Sequence, residues 1–300
     1  MTPLLILTGT PPFFLGVIAK TKAFFAGRKG PPLLQAYYDL AKLLRKGAVV
    51  SRSASWLLRI APVAILASLL VAGLLLPIVG EAPLHFEGDL ILFAYLLAVG
   101  RFFTILAAQD VGSSFEGMGA SREAAFGALS ELSFFLGLLV LSILHGTVSL
   151  NGLFEATSSR LLVAPVIFLL FGTFFFTLLT ENSRMPIDDP TTHLELTMIH
   201  EVMILDYSGP DLGLILYGAS VKLFLFMVFV SQILWPPVGY LGPLAIGALL
   251  LKVTGVAIGI GVVEAAVARL RLIKIPQLLI ANFVVTALAL LVMLFGKGIG

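Results

Sequence analysis

The sequence contains no cysteine in its 300 residues. No disulfide, iron–sulfur cluster or thiolate metal site can be built from this chain alone, so any redox centres belong to a partner. Charge is also scarce: Asp, Glu, Lys and Arg make up 12% of the residues, against about 25% in soluble domains. The net charge of +2 and the apolar composition exclude a disordered chain and a nucleic-acid-binding one. No internal repeat is visible, which removes sequence support for an inverted-repeat transporter. Glycine-rich phosphate loops, zinc-protease motifs and nucleophile elbows are missing as well.

What is abundant is hydrophobicity, at 59% of residues and a mean hydropathy of +1.05. A helical membrane span needs about 20 apolar residues. Eight apolar stretches meet or approach that length: 3–19, 57–79, 90–108, 124–145, 161–180, 212–235, 241–263 and 277–296. They are continuous runs, not the ten-residue alternations of a β-barrel. The expected fold is an all-α polytopic membrane protein of about eight spans, a single transmembrane domain over residues 1–300. The first run lacks a basic leader and precedes Lys20 and Lys22, unlike a cleaved signal peptide. Pro11 and Pro12 should kink it.

Lys and Arg set the orientation. Loops 20–56, 109–123, 181–211 and 264–276, with the flanking Arg59, hold fourteen of the nineteen basic residues. The opposite loops hold only Arg160 and Lys297. This bias places the four loops in the cytoplasm and both termini outside, in the cell (inner) membrane.

Within the first loop, Leu33, Tyr37, Leu40 and Leu44 recur at helical spacing, and Gln35, Asp39, Lys42 and Lys46 point mostly elsewhere. The pattern predicts an amphipathic helix on the membrane surface. Its basic face suits either anionic lipid or a soluble partner. Loop 181–211 concentrates Glu181, Asp188, Asp189, Glu195, Glu201, Asp206 and Asp211, seven of the seventeen acids. Arg184, His193 and His200 are interleaved, and Thr191 to Leu205 is expected to form a helix. His193 and His200 lie close to one helical face, but a metal site needs more ligands. Apolar residues alternate with these charges, which points to partial burial.

Glu131, Lys222 and Lys252 stand inside apolar runs. Each would cost about 2.5–3.5 kcal/mol at the bilayer centre, so partners or hydrated cavities are expected. Structural ion pairing and ion transfer both fit. Glu181 and Glu264 mark span ends, while Glu123 and Glu131 project within about 80° of each other on one helix. Arg122 points away from Glu131.

Four segments resemble the subunit-1 family of respiratory complex I. They are Gly30-Pro31 through Gln35, Asp39, Lys42 and Leu43; Arg122 with Ser130-Glu131; Glu181-Asn182-Ser183-Arg184-Met185-Pro186-Ile187-Asp188; and Arg269-Leu270-Arg271 with Gln277-Leu278. Where the quinone-type branch carries a Glu-x-Glu-x-Glu run, this chain has Thr191, His193 and Glu195. The stretch Pro186 to Glu201 is instead similar to the hydrogenase-4 component C branch, found in membrane-bound hydrogenases and formate hydrogenlyase-type complexes. Val262-Val263-Glu264 with Ala268-Arg269-Leu270-Arg271-Leu272 is similar to the same branch.

The resemblance implies a non-catalytic membrane anchor that couples redox energy to proton or sodium translocation. Its implied partners are hydrogenase large and small subunits, an iron–sulfur subunit and antiporter-like membrane subunits. The nickel–iron centre and iron–sulfur clusters would sit in those partners, with no cofactor or metal on this chain. By analogy the coupling path comprises Glu131, Glu181, Asp188, Glu195, Glu201, Asp206 and Glu264, with Lys222 and Lys252 as charge partners. Arg122 and Arg184 would hold carboxylates by bidentate hydrogen bonds, with His193, His200, Asp39 and Lys42 at the soluble interface. The competing readings are the quinone-site subunit of an NADH dehydrogenase, a stand-alone ion-coupled transporter and an inert structural anchor.

Overall fold

The computed structural model describes residues 2–154, 160–188, 198–236 and 243–297. Helices α1 (Thr2–Gly9) and α2 (Pro11–Phe25) form the first apolar run. They meet at 50°, at the two prolines. Pro11 and Pro12 have no N–H, so the carbonyls one turn earlier lose their helical donors. One tyrosine hydroxyl fills part of that gap, at Thr8, and a second bonds the next carbonyl of the bend. Tyr217 donates to the Thr8 carbonyl at 2.7 Å, and Tyr37 donates to that of Gly9.

Seven long apolar helices follow or flank this pair: α4 (Trp56–Leu75), α5 (Asp89–Asp110), α6 (Ser114–His145), α8 (Arg160–Glu181), α9 (Gly209–Leu234), α10 (Pro243–Ala266) and α11 (Ile275–Lys297). Each is long and apolar enough to cross a bilayer, and the bent pair makes an eighth span. Two short helices, α3 (Gln35–Leu44) and α7 (Leu150–Leu153), lie between them. The protein is a multi-pass membrane protein. Its core is centred on α9, where Leu223 to Val230 are all buried, because neighbouring helices surround that helix.

Several expected boundaries shift. Helix α2 continues to Phe25, so Lys20 and Lys22 are helical and not in a loop. Helix α6 begins at Ser114, which puts Arg122 and Glu123 on a helix and leaves only 111–113 as connection. The predicted helix up to Leu205 is absent over its described part. Residues Glu201–Ile204 form a single 3-10 turn, and Thr191 to Thr197 lie outside the described residues. Amphipathic α3 is not simply laid on a surface. The chain before it packs into the bundle: a Cβ added to Gly16 would fall 2.1 Å from the Leu33 carbonyl oxygen. Gly16 is nine residues before the end of α2, about 13 Å along its axis.

The four basic connections are stitched together at one end. Asp110 accepts from Ser55 N at 2.7 Å and from its hydroxyl at 2.9 Å. The Ser208 hydroxyl bonds the backbone N–H and carbonyl of Val49. Leu270 N donates to Pro186 O at 3.0 Å. These bonds fix the loops to helix ends, which is where a site under the loop face must be built.

Gly16→Ala should lower the thermal midpoint of the purified chain by several degrees, because the obstructing atoms are backbone and overpacking costs about 1–3 kcal/mol. Gly172→Ala, facing open space on α8, should leave it unchanged or slightly higher.

Candidate functional site

The centre of the site is Arg101 on α5. Its Nη2 lies 2.9 and 2.8 Å from the two carboxylate oxygens of Glu181, at the end of α8. The same nitrogen is 3.2 Å from Glu131, and Nε is 3.9 Å from Glu123, both on α6. Glu123, Gly127 and Glu131 recur every four residues and so line one stripe of that helix. Gly127 is the gap in the stripe: a Cβ there would stand 2.2 Å from Arg101 Nη1. The missing side chain lets the guanidinium lie against the helix with a carboxylate above and below.

Lys222 on α9 supplies the second cation. Its Nζ donates to the Glu181 carbonyl at 2.7 Å and its carboxylate at 3.1 Å. Four helices therefore meet through two cations and three carboxylates. The Glu181 side chain is 5% exposed and that of Arg101 9%, but Glu131 keeps 35%. The cluster thus runs from a closed interior to the outer flank of α6.

A cavity of about 340 Å³ reaches this cluster from the loop end. Arg101, Glu181 and Lys222 line it together with apolar residues such as Leu15, Leu69 and Ile215.

A second layer of ion pairs ties the loops above. Asp188 accepts from Arg269 Nη2 at 2.7 Å and from the backbone N–H groups of Ile199 and His200, each at 3.1 Å. Glu264, at the end of α10, faces Arg184 at 3.2 Å and Lys22 at 3.9 Å. Glu116 is buried on the first turn of α6 and accepts from Asp206 N at 3.1 Å. Tyr207 is buried beside it; burial, then the charges of Asp211, Glu116 and Asp110, pushes its hydroxyl above the usual tyrosine range.

Of the residues singled out in the sequence, Glu131, Glu181 and Lys222 meet in one cluster, with Asp188, Glu201 and His200 on the walls of the same cavity. Asp206 is reached through its backbone, and Glu264 belongs to the second layer. Lys252 departs from expectation. It donates to the carbonyls of Trp235 and Pro236 at 2.9 and 3.1 Å, capping α9 about 18 Å beyond Lys222. Arg122 holds no carboxylate in the bonds it makes here. Its Nη1 donates to Met198 O at 2.9 Å and Nη2 meets Met118 Sδ at 2.9 Å, because it points away from the Glu131 stripe. Arg184 reaches Glu264 through Nη1, not as a two-pronged fork. Asp39 is exposed and accepts from Gln35 at 2.9 Å, and Lys42 is exposed. His193 and Glu195 lie outside the described residues.

The sequence reading left Arg101, Glu123, Lys22 and Arg269 out of the site. The signal for Arg101 was present: it is the one charged residue in the run 90–108. The four-residue repeat of Glu123, Gly127 and Glu131 was the matching half.

Over residues 1–295 the chain matches a family profile described as NADH dehydrogenase. It is 32% identical to formate hydrogenlyase subunit 4 of Escherichia coli (strain K12), over 93% of this chain and 92% of that protein. It is also 32% identical to hydrogenase-4 component C of the same organism, covering 95% and 91%. Among solved structures it is similar to a chain of the membrane-bound sulfane sulfur reductase, an archaeal respiratory membrane complex. The TM-score is 0.83 at 20% identity, with 95% of each chain covered.

Arg101→Leu should strand Glu123 and Glu131, leave Glu181 to Lys222 alone and cost about 3–5 kcal/mol, read as a large drop in the unfolding temperature of the detergent-solubilised chain. Lys252→Met should cost about 1 kcal/mol through the helix cap that it weakens at Trp235 and Pro236.

Proposed function

This chain belongs to the NADH dehydrogenase family of membrane subunits, and from that premise we propose that it anchors and couples a hydrogenase- or formate hydrogenlyase-type complex. The observation that carries the coupling role is the Arg101 cluster. It joins a cavity under the loop face to Glu131, a half-exposed acid on an apolar helix. The alternation of fixed cations and carboxylates suits the relay of a charge change sideways, towards antiporter-like subunits in the membrane.

The cluster holds three carboxylates against two cations, so one proton balances it. A rearrangement of the loops that shifts Glu181 alters the field at Glu131 through the shared guanidinium. The reach is short, since Glu181, Arg184 and Asp188 lie within eight residues of chain. In this reading a partner's redox chemistry moves the loops, and the cluster converts that movement into uptake or release of a proton or sodium ion.

The basic connections face the cytoplasm and both termini lie outside, as the Lys/Arg bias requires. Hydrogenase large and small subunits and an iron–sulfur subunit dock on this face. Without a cysteine the chain supplies no thiolate, so the nickel–iron and iron–sulfur centres are held by those partners. The hydrogenase branch is favoured over a quinone-site subunit by the Thr191-to-Glu201 sequence and by two relatives at 32% identity.

Glu131→Gln in the complex, reconstituted into liposomes, should reduce ion uptake per redox turnover at least about tenfold while the subunits stay assembled. Unchanged uptake removes Glu131 from the path. Hydrogen evolution by the purified complex without quinone supports the hydrogenase assignment; quinone-dependent turnover in a nickel-free preparation reverses it.

A further inference from the structure

His200 is a half-buried base in the coupling region to which the proposed function gives no task. Its backbone is unusually well fixed for a loop. The N–H donates to Asp188 Oδ2 at 3.1 Å, the preceding N–H of Ile199 does the same, and Arg122 holds the carbonyl of Met198 at 2.9 Å. The ring is therefore presented on a rigid support. It lines the cavity that Arg101, Glu181 and Lys222 also line, and its Nδ1 is buried with no hydrogen-bond partner among the described residues. An unpaired ring nitrogen in such a place is costly as a structural filler, because a buried donor or acceptor forfeits its water without compensation. It is suited to a group that gains and loses a proton.

Four charged groups line the same cavity as the ring: Glu123 on α6, Lys222 on α9, Glu181 at the end of α8 and Asp188 in the following loop. Glu201 is its chain neighbour and lines the same cavity. We propose that His200 carries protons between the cavity and the Arg101 cluster, with Glu123 as its acceptor. In the forward step Nε2 takes a proton from water reaching the cavity, so that the ring carries a proton on each nitrogen. The Nδ1–H bond then breaks as an O–H bond forms on the Glu123 carboxylate, and the imidazole returns to neutral. No electron moves, and the proton gained cancels the one surplus negative charge of the cluster.

Burial, against the pull of Glu123 and with the repulsion of Lys222, holds the ring below its usual imidazole value. The resting ring is thus neutral at physiological pH and ready to accept. A change that draws Lys222 away, or brings Glu123 nearer, raises its proton affinity. Movement at the loop face would in this way gate the transfer.

The inference rests on the coupling function proposed above, so the test separates the two. The whole complex is reconstituted into liposomes, and ion uptake per redox turnover is followed between about pH 5.5 and 8.5. Wild-type turnover with no uptake would sink the coupling function itself. Given wild-type uptake, His200→Gln should keep redox turnover within about twofold, lower uptake about tenfold or more, and flatten its pH profile. His200→Ala should lose uptake in the same way and regain it with added imidazole. A His200→Gln complex with the wild-type ratio and pH profile overturns the proposal, as does loss in the Ala variant that imidazole does not restore. If neither variant assembles, nitrogen-15 spectra of histidine in the wild-type complex decide: a ring that changes protonation across this pH range supports the proposal, and one that stays neutral throughout overturns it.

Discussion

A guanidinium among apolar helices persists only where carboxylates surround it, and the placement of Arg101 governs the interior of this protein. Removing two or three charges from water costs several kcal/mol per ion, repaid only by close and well-directed pairing. Glu181 provides it with both oxygens, Glu131 and Glu123 flank it, and Gly127 leaves the space in which it lies. The relative positions of α5, α6 and α8 are bound to that requirement. Lys222 extends it to α9, the most enclosed helix of the bundle.

The loop layer repeats the same physics one level out. Asp188 joins three stretches of chain through Arg269 and two backbone N–H groups. Glu264 receives Arg184 and Lys22 from two others. Both layers share the short segment from Glu181 to Asp188, so displacement of the loops cannot leave the inner cluster untouched. This continuity gives the proposed coupling role a physical route. His200, hung from Asp188 over the cavity, is where a proton would cross from one layer to the other.

Legibility in the sequence divided by range. Spans, the proline kink and the basic loops came from hydropathy and charge counted along the chain, and the structure follows them with boundary shifts of several residues. Glu131, Glu181 and Lys222 stood out because ionisable residues in apolar runs need partners. Which partners they find was not visible. Lys252 has the same sequence signature as Lys222, yet it caps carbonyls at the far end of α9. Arg122 sits in a motif with Glu131, yet the helix turns it towards Met198. Over its described part the helix expected up to Leu205 is replaced by a 3-10 turn, since Asp188 and Arg122 claim backbone groups of Met198, Ile199 and His200 for tertiary bonds.

The sequence by itself determined that the chain is an all-helical membrane protein, which end is basic, and that it supplies no thiolate ligand. Those properties are local, set by the cost of placing polar groups in hydrocarbon one residue at a time. Only the tertiary structure decided that Arg101 is the hub and that Glu123 and Lys22 join the paired carboxylates and cations. It also brought His200 to the cavity wall. Three of the pairs that make the two layers are about eighty residues apart in the chain: Arg101 with Glu181, Arg184 with Glu264, and Asp188 with Arg269. No periodicity reports on such a separation. It is set by how antiparallel helices fold back on one another and by which buried charge each must satisfy.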